Sequence, residues 1–169
     1  MISPDAKPDQ EPSAEAKIIR FSDRAGDSFA IADLTPAYAG KAKSVQRGVR
    51  LTGRSLLVQD GITGAASADI YWFLNTAAKI ECRATFTQNG KTLTATLLSP
   101  PGAGFTVRDA LPFPTSPKPE GQMKKHASGK PSRKLTVQPP AGSVVRITVR
   151  LSPDQPDAAE KVVPLADWK

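Results

Sequence analysis

The sequence predicts an all-β protein, an antiparallel, supersandwich-like β-sandwich of about eight to ten strands with one long basic loop. Three observations predict it. The 169 residues include 16 prolines and 12 glycines, many of them between short apolar runs, which favours many short strands over long helices. Several runs alternate apolar and polar residues with period two, the repeat of a strand with one covered face. Asn89-Gly90 sits between two such runs and suits a two-residue type I′ turn, whose central residues both need positive φ.

The elements follow in order. Residues 1–17 are polar and Pro-rich without an apolar signal core, and residues 1–19 read as a disordered lead or a join to something upstream. Residues 20–169 read as a single sandwich domain. The first strand is Ser28–Leu34, with Phe29, Ile31 and Asp33 on one face. Ser44–Leu51 follows, with Val45, Val49 and Leu51 opposite Gln46 and Arg50; Gly53 turns the chain into Ser55–Asp60. Asp69–Asn75 is apolar on both faces, the pattern of a central strand covered on both sides.

Across Asn89-Gly90 the pairing sets Phe86 against Leu93, Ala84 against Ala95 and Cys82 against Leu97. The other face pairs Thr87 with Thr92 and Thr85 with Thr94, giving one apolar and one polar face. Phe105–Asp109, Lys134–Gln138 and Val144–Leu151 complete the set. In the last, Val145, Ile147, Val149 and Leu151 point inward, and Arg146, Thr148 and Arg150 outward. Pro112 to Arg133 is a Pro-, Lys- and Gly-rich loop. In the tail, Leu165 and Trp168 are candidates to dock back on the sandwich.

Composition narrows the chemistry. A formal net charge of +7 permits an acidic partner. The single cysteine, Cys82, excludes an internal disulfide and a cysteine-rich zinc site. No apolar run approaches the roughly 20 residues of a spanning helix. No P-loop, GxGxxG or HExxH motif is present. The one histidine, His126, lies in KKHASGK in the long loop, without the rigid positioning and orienting partner that a general base needs. Cys82, on the apolar face of the hairpin, reads as a small hydrophobe. No catalytic residue is therefore assigned.

Two features invite a functional reading beside a bland one. Asp33 shares a face with Phe29 and Ile31, so its carboxylate needs a partner. It is either a metal ligand or orienting group, or a strand-end aspartate that caps the following turn or pairs with an arginine such as Arg47. Lys118, Lys124, Lys125, Lys130, Arg133 and Lys134 stand against Glu120 alone in one stretch. They form either a flexible polyanion-binding arm or a solvated loop. The stretch holds no aromatic residue that could stack bases, which argues against nucleic acid.

The runs SFAIADLTPAY, KSVQRGVRLTGRSLLVQDGIT and ADIYWFLNTAAKIE, with TVRLSP and PLADW near the end, resemble the C-terminal β-sandwich of heparinase II/III-like polysaccharide lyases. The resemblance covers most of residues 20–168. It implies an α/α toroid catalytic domain upstream, an acidic polysaccharide as partner, and a periplasmic or secreted full-length protein that cleaves uronate-containing chains by β-elimination. The family's catalytic Asn, His and Tyr belong mainly to the toroid. Some members hold a structural zinc in the sandwich through two histidines and an aspartate. Asp33 resembles that aspartate, and Asn75 stands where W-x-x-His-Thr would place a histidine. An amide is a poor zinc ligand, so Asn75 and Asp33 read as the remnant of a lost site and no cofactor is expected. The alternative is an autonomous carbohydrate-binding or adhesion-type sandwich, and a third reading is a purely structural domain.

Overall fold

The computed structural model describes residues 2–3, 10–65, 69–81, 84–109, 133–140, 142–153 and 161–169. Among them are thirteen strands and no α-helix: β1 Ile2–Ser3, β2 Lys17–Ser22, β3 Asp27–Asp33, β4 Ser44–Thr52, β5 Ser55–Thr63, β6 Asp69–Ile70, β7 Trp72–Thr76, β8 Lys79–Glu81, β9 Thr85–Gln88, β10 Lys91–Ser99, β11 Thr106–Asp109, β12 Arg133–Val137 and β13 Val144–Ser152. Every pairing is antiparallel. An eight-stranded sheet runs β2-β3-β4-β5-β13-β10-β9-β8, and a three-stranded sheet runs β11-β12-β7. The fold class is the expected β-sandwich.

The period-two pattern builds the core. Val145, Ile147, Val149 and Leu151 of β13 are buried with Val45, Ile62, Phe86 and Ala95 on one face of the large sheet. Trp72, Leu135 and Val137 of the small sheet close over them. The hairpin forms in the expected register, with Phe86 opposite Leu93 and Thr87 opposite Thr92. Asn89 and Gly90 take φ of 51° and 72°, as the I′ turn demands. The Ala95 amide donates to the Ala84 carbonyl at 2.9 Å; Cys82 lies outside the described residues.

Three expectations are corrected. Asp69–Asn75 is not one central strand. It breaks at Tyr71, and β7 is an edge strand of the small sheet. Trp72 is buried, while Tyr71 and Phe73 stack on each other at 5.8 Å on the outer face and stay half-buried. Secondly, the sequence reading begins its strands at Ser28, but Lys17–Ser22 pairs with β3 ahead of it. Ile18, Ile19 and Phe21 are exposed there, so no buried face marks this edge strand.

Thirdly, the outward face of β13 is not solvated. Thr148 is fully buried and Arg150 is buried too. The C-terminal tail docks on this face of the large sheet, as Leu165 and Trp168 suggested, and reaches Thr148 through Gln59. Leu165 and Trp168 form a second small core with Phe29 and Ile31, and Trp168 meets Phe29 edge-on at 5.9 Å. Gln59 is buried between: it accepts from the Thr148 hydroxyl at 3.1 Å and donates to the Val163 carbonyl at 3.0 Å. Arg20 of β2 donates to the Leu165 and Ala166 carbonyls at 3.0 Å each, and also to that of Trp168. Gly48 lies directly under the tail. A Cβ there would stand 2.4 Å from Leu165 Cδ2 and 2.8 Å from Trp168 Cζ3, so only glycine admits this close approach.

Candidate functional site

Asp33 caps a turn. Its Oδ1 accepts the Thr35 amide at 2.9 Å, and the Thr35 hydrogen bonds hold its carboxyl below the usual carboxylate range. Arg47 pairs instead with Asp60, Nε to Oδ1 at 2.6 Å and Nη2 to Oδ2 at 2.7 Å. That bidentate contact raises the Arg47 pKa further. Tyr38 is buried nearby, and its hydroxyl accepts from Gln10 Nε2 at 2.8 Å; burial pushes its pKa up. Asn75 is on the other sheet, exposed near the end of β7. Asp33 and Asn75 thus share no sheet, and Asp33 has a local role that needs no metal.

Of the six polyanion-binding candidates, Lys118, Lys124, Lys125 and Lys130 lie outside the described residues, as does His126. Lys134 belongs to a strand as expected, and β12 begins one residue earlier, at Arg133, which the sequence reading left in the loop. Arg133 and Lys134 pair with Thr76 and Asn75 of β7. The Lys134 ammonium stands 5.0 Å above the Phe73 ring, a cation–π contact on the outer face of the small sheet. Partial burial, with Arg108 adding repulsion, pulls the Lys134 pKa down. Arg108 is exposed directly opposite Lys134 on β11. This face therefore concentrates positive charge beside two aromatic rings.

A second feature adjoins Asn75. At one end of the sandwich the two sheets part and leave an open groove of about 1060 Å³. Its apolar surface comes from Leu74, Phe86, Leu93 and Leu151, and its polar surface from Arg54, Asn75, Gln88, Asn89 and Lys91. Register explains the mixture. Gln88 follows Phe86 at strand spacing and pairs with Lys91, so both continue the inward face of the hairpin beyond the packed core. Sequence reasoning singled out only Asn75 here. The available signal was two polar residues, Gln88 and Lys91, on the hairpin's apolar face next to its turn.

Among the described residues, no helix is long and apolar enough to cross a membrane. No family model and no curated protein sequence matches the chain. Solved structures do match. Heparan sulfate lyase HepC from Pedobacter heparinus aligns with a TM-score of 0.55 at 12% identity, over 82% of this chain and 21% of that chain. A mutant of the same lyase aligns with a TM-score of 0.53 at 11% identity, again over 82% and 21%. At such identity the likeness is one of fold: this sandwich is built like a region that makes up about a fifth of a heparan sulfate lyase.

Proposed function

We propose that the chain is the C-terminal accessory β-sandwich of a bacterial heparinase II/III-like polysaccharide lyase, and that it works packed against an α/α toroid that carries the β-elimination. The observation that carries this reading is an uncovered half-sheet. The small sheet covers only part of the large one. Beyond it, Ile18 and Phe21 of β2 share a face with Val49 and Leu51 of β4, as the register sets them. These four are 67%, 71%, 37% and 47% exposed, a contiguous apolar surface of the kind a domain interface covers. The toroid is the occupant we infer, because the matching region of the heparan sulfate lyase is only 21% of its chain.

On this reading the module walls the substrate cleft and turns positive charge toward an acidic polysaccharide. Lys118, Lys124, Lys125, Lys130, Arg133 and Lys134 supply that charge, and the full-length protein works in the periplasm or outside the cell. No nucleic acid and no membrane span enter the proposal.

The test uses the isolated chain. It binds a hydrophobic dye while folded and self-associates with rising concentration, and Phe21→Ser lowers both. On heparan sulfate it releases no unsaturated product absorbing in the near ultraviolet. A strict monomer without dye binding overturns the reading in favour of an autonomous carbohydrate-binding sandwich. Robust product formation overturns it in favour of a complete enzyme.

A further inference from the structure

Strand β2 has little of its own to keep it in place. It is an edge of the large sheet and pairs only with β3. None of its side chains is buried, and none joins either apolar core. The register of such a strand is weakly specified, because a slip of one residue takes nothing out of the core. Yet the uncovered apolar face depends on that register. Ile18 stands opposite Ala32, Phe21 opposite Ala30, and Arg20 opposite Ile31. Ile19 is an extra residue between Ile18 and Arg20, a bulge. In a regular strand, residues three apart point to opposite faces. The bulge brings Ile18 and Phe21 together on the face of Val49 and Leu51, and turns Arg20 to the opposite face.

On that opposite face Arg20 meets the C-terminal tail. Its guanidinium donates to the carbonyls of Leu165 and Ala166 at 3.0 Å each, and to that of Trp168. These carbonyls belong to the short 3-10 turn Leu165–Asp167 and its cap, and a basic side chain is a favoured partner for the last carbonyls of a helical turn. The guanidinium also lies 5.7 Å from the centre of the Phe29 ring. The tail has its own anchors on other strands: Leu165 and Trp168 pack on Phe29 and Ile31, and Gln59 donates to the Val163 carbonyl. We infer that residues 163–168 are a strap that assembles the partner face. By fixing Arg20 they pin β2 in the one register that sets Ile18 and Phe21 beside Val49 and Leu51. The inference rests on the interface reading for what covers that face, and on the contacts of β2 alone for how the face is built. It also links the two sides of the sheet: a partner that holds β2 on one side favours a docked tail on the other, and the reverse.

Amide hydrogen exchange of the folded full chain, followed by NMR, tests it. Leu165→Ala with Trp168→Ala releases the strap without touching β2. Exchange at the β2 amides that pair with β3 then rises by about tenfold or more, the worth of one hydrogen bond to a charged group. It also becomes faster than exchange at β13 in the same variant, and the cross-strand nuclear Overhauser contact between Phe21 and Ala30 is lost. Where the double variant does not fold, Trp168→Ala alone gives the same order of rates. Arg20→Lys keeps the charge but loses the planar fork, and it too speeds exchange in β2. Phe21→Ser removes the partner-facing ring and leaves β2 exchange within about twofold of the parent, as an exposed substitution should. A monomeric parent without dye binding refutes the interface reading alone, and the exchange rates still decide this one. Parent rates at β2 in the strap variants overturn the inference. So do β2 rates that never exceed those of β13, because the strand then opens only with the whole sheet. An equal rise in Phe21→Ser overturns it as well, because β2 then answers to its own apolar face and not to the strap.

Discussion

Replacing Gly48 by alanine puts one methyl group where there is no room. Its Cβ would lie 2.4 Å from Leu165 Cδ2 and 2.8 and 2.9 Å from Trp168 Cζ3 and Cη2, where ordinary contact begins at 3.4 Å. The protein has two responses. It can compress the contact, which costs about 1–3 kcal/mol for an overpacked core. Or it can release the tail, which gives up about 1.5–3 kcal/mol for Leu165 and a comparable amount for Trp168. Release also sacrifices the Arg20 and Gln59 hydrogen bonds to tail carbonyls.

Compression is the cheaper response, so Gly48→Ala destabilises by roughly 2–3 kcal/mol. The sign reverses once the obstruction is gone. Gly48 does not have a left-handed φ, and an alanine compatible with its backbone stabilises by about 0.4–1 kcal/mol through the unfolded chain. In a Leu165→Ala, Trp168→Ala background, Gly48→Ala is therefore neutral or stabilising, with a coupling of about 3 kcal/mol between the sites. Urea unfolding followed by far-ultraviolet circular dichroism measures all four corners of the cycle. An equal cost for Gly48→Ala in both backgrounds refutes the close-approach argument.

Other outcomes follow from single contacts. Arg20→Gln should loosen the tail and cost about 1–3 kcal/mol, because a cation donating to the tail carbonyls is lost; faster proteolysis after Lys161 or Lys169-side fraying in amide exchange reports it. Asp33→Ala should cost only about 1 kcal/mol, the worth of one capping contact, and calorimetric unfolding checks that modest figure. Arg50 binds Asp27 through both carboxylate oxygens at 2.6 Å each, which holds the Asp27 carboxyl below its ordinary value. Its contribution is thus fully present above the ordinary aspartate range and is lost as pH falls through the lowered one. Urea midpoints recorded from neutral to acid pH should decline less steeply in Asp27→Asn, and an unchanged slope would remove Asp27 from the acid response.

Strands whose two faces differ were legible. Val145, Ile147 and Val149 alternate with polar neighbours, and the Asn89-Gly90 turn fixes its own register. What escaped was set by partners distant in the chain. Thr148 looks like a surface residue until Gln59 and the tail beyond it at Val163 are seen over it. Phe73 looks like core until Lys134 and Tyr71 are seen beside it on an outer face. Lys17–Ser22 carries no buried face, so only its pairing with β3 reveals a strand. The groove draws on Arg54, Asn75, Lys91 and Leu151, residues of separate strands and turns. The hairpin register sets Gln88 and Lys91 inward, a signal the sequence reading did not use, and nothing local tells where the facing sheet ends.

The strand order carries a consequence for the sequence of folding events. β2 to β5 form one meander of neighbours, and β8 to β10 another, and each can zip locally as soon as it is made. They meet only through β13, which inserts between β5 and β10. During synthesis the large sheet therefore exists as two separate halves, each with an open edge, until residues 144–152 have emerged. Contacts of such long sequence separation are slow to form, and open edges invite pairing with other chains. The late strand is thus the step that converts two aggregation-prone meanders into one sheet, and slowing its arrival should lower the yield of soluble protein more than weakening either meander.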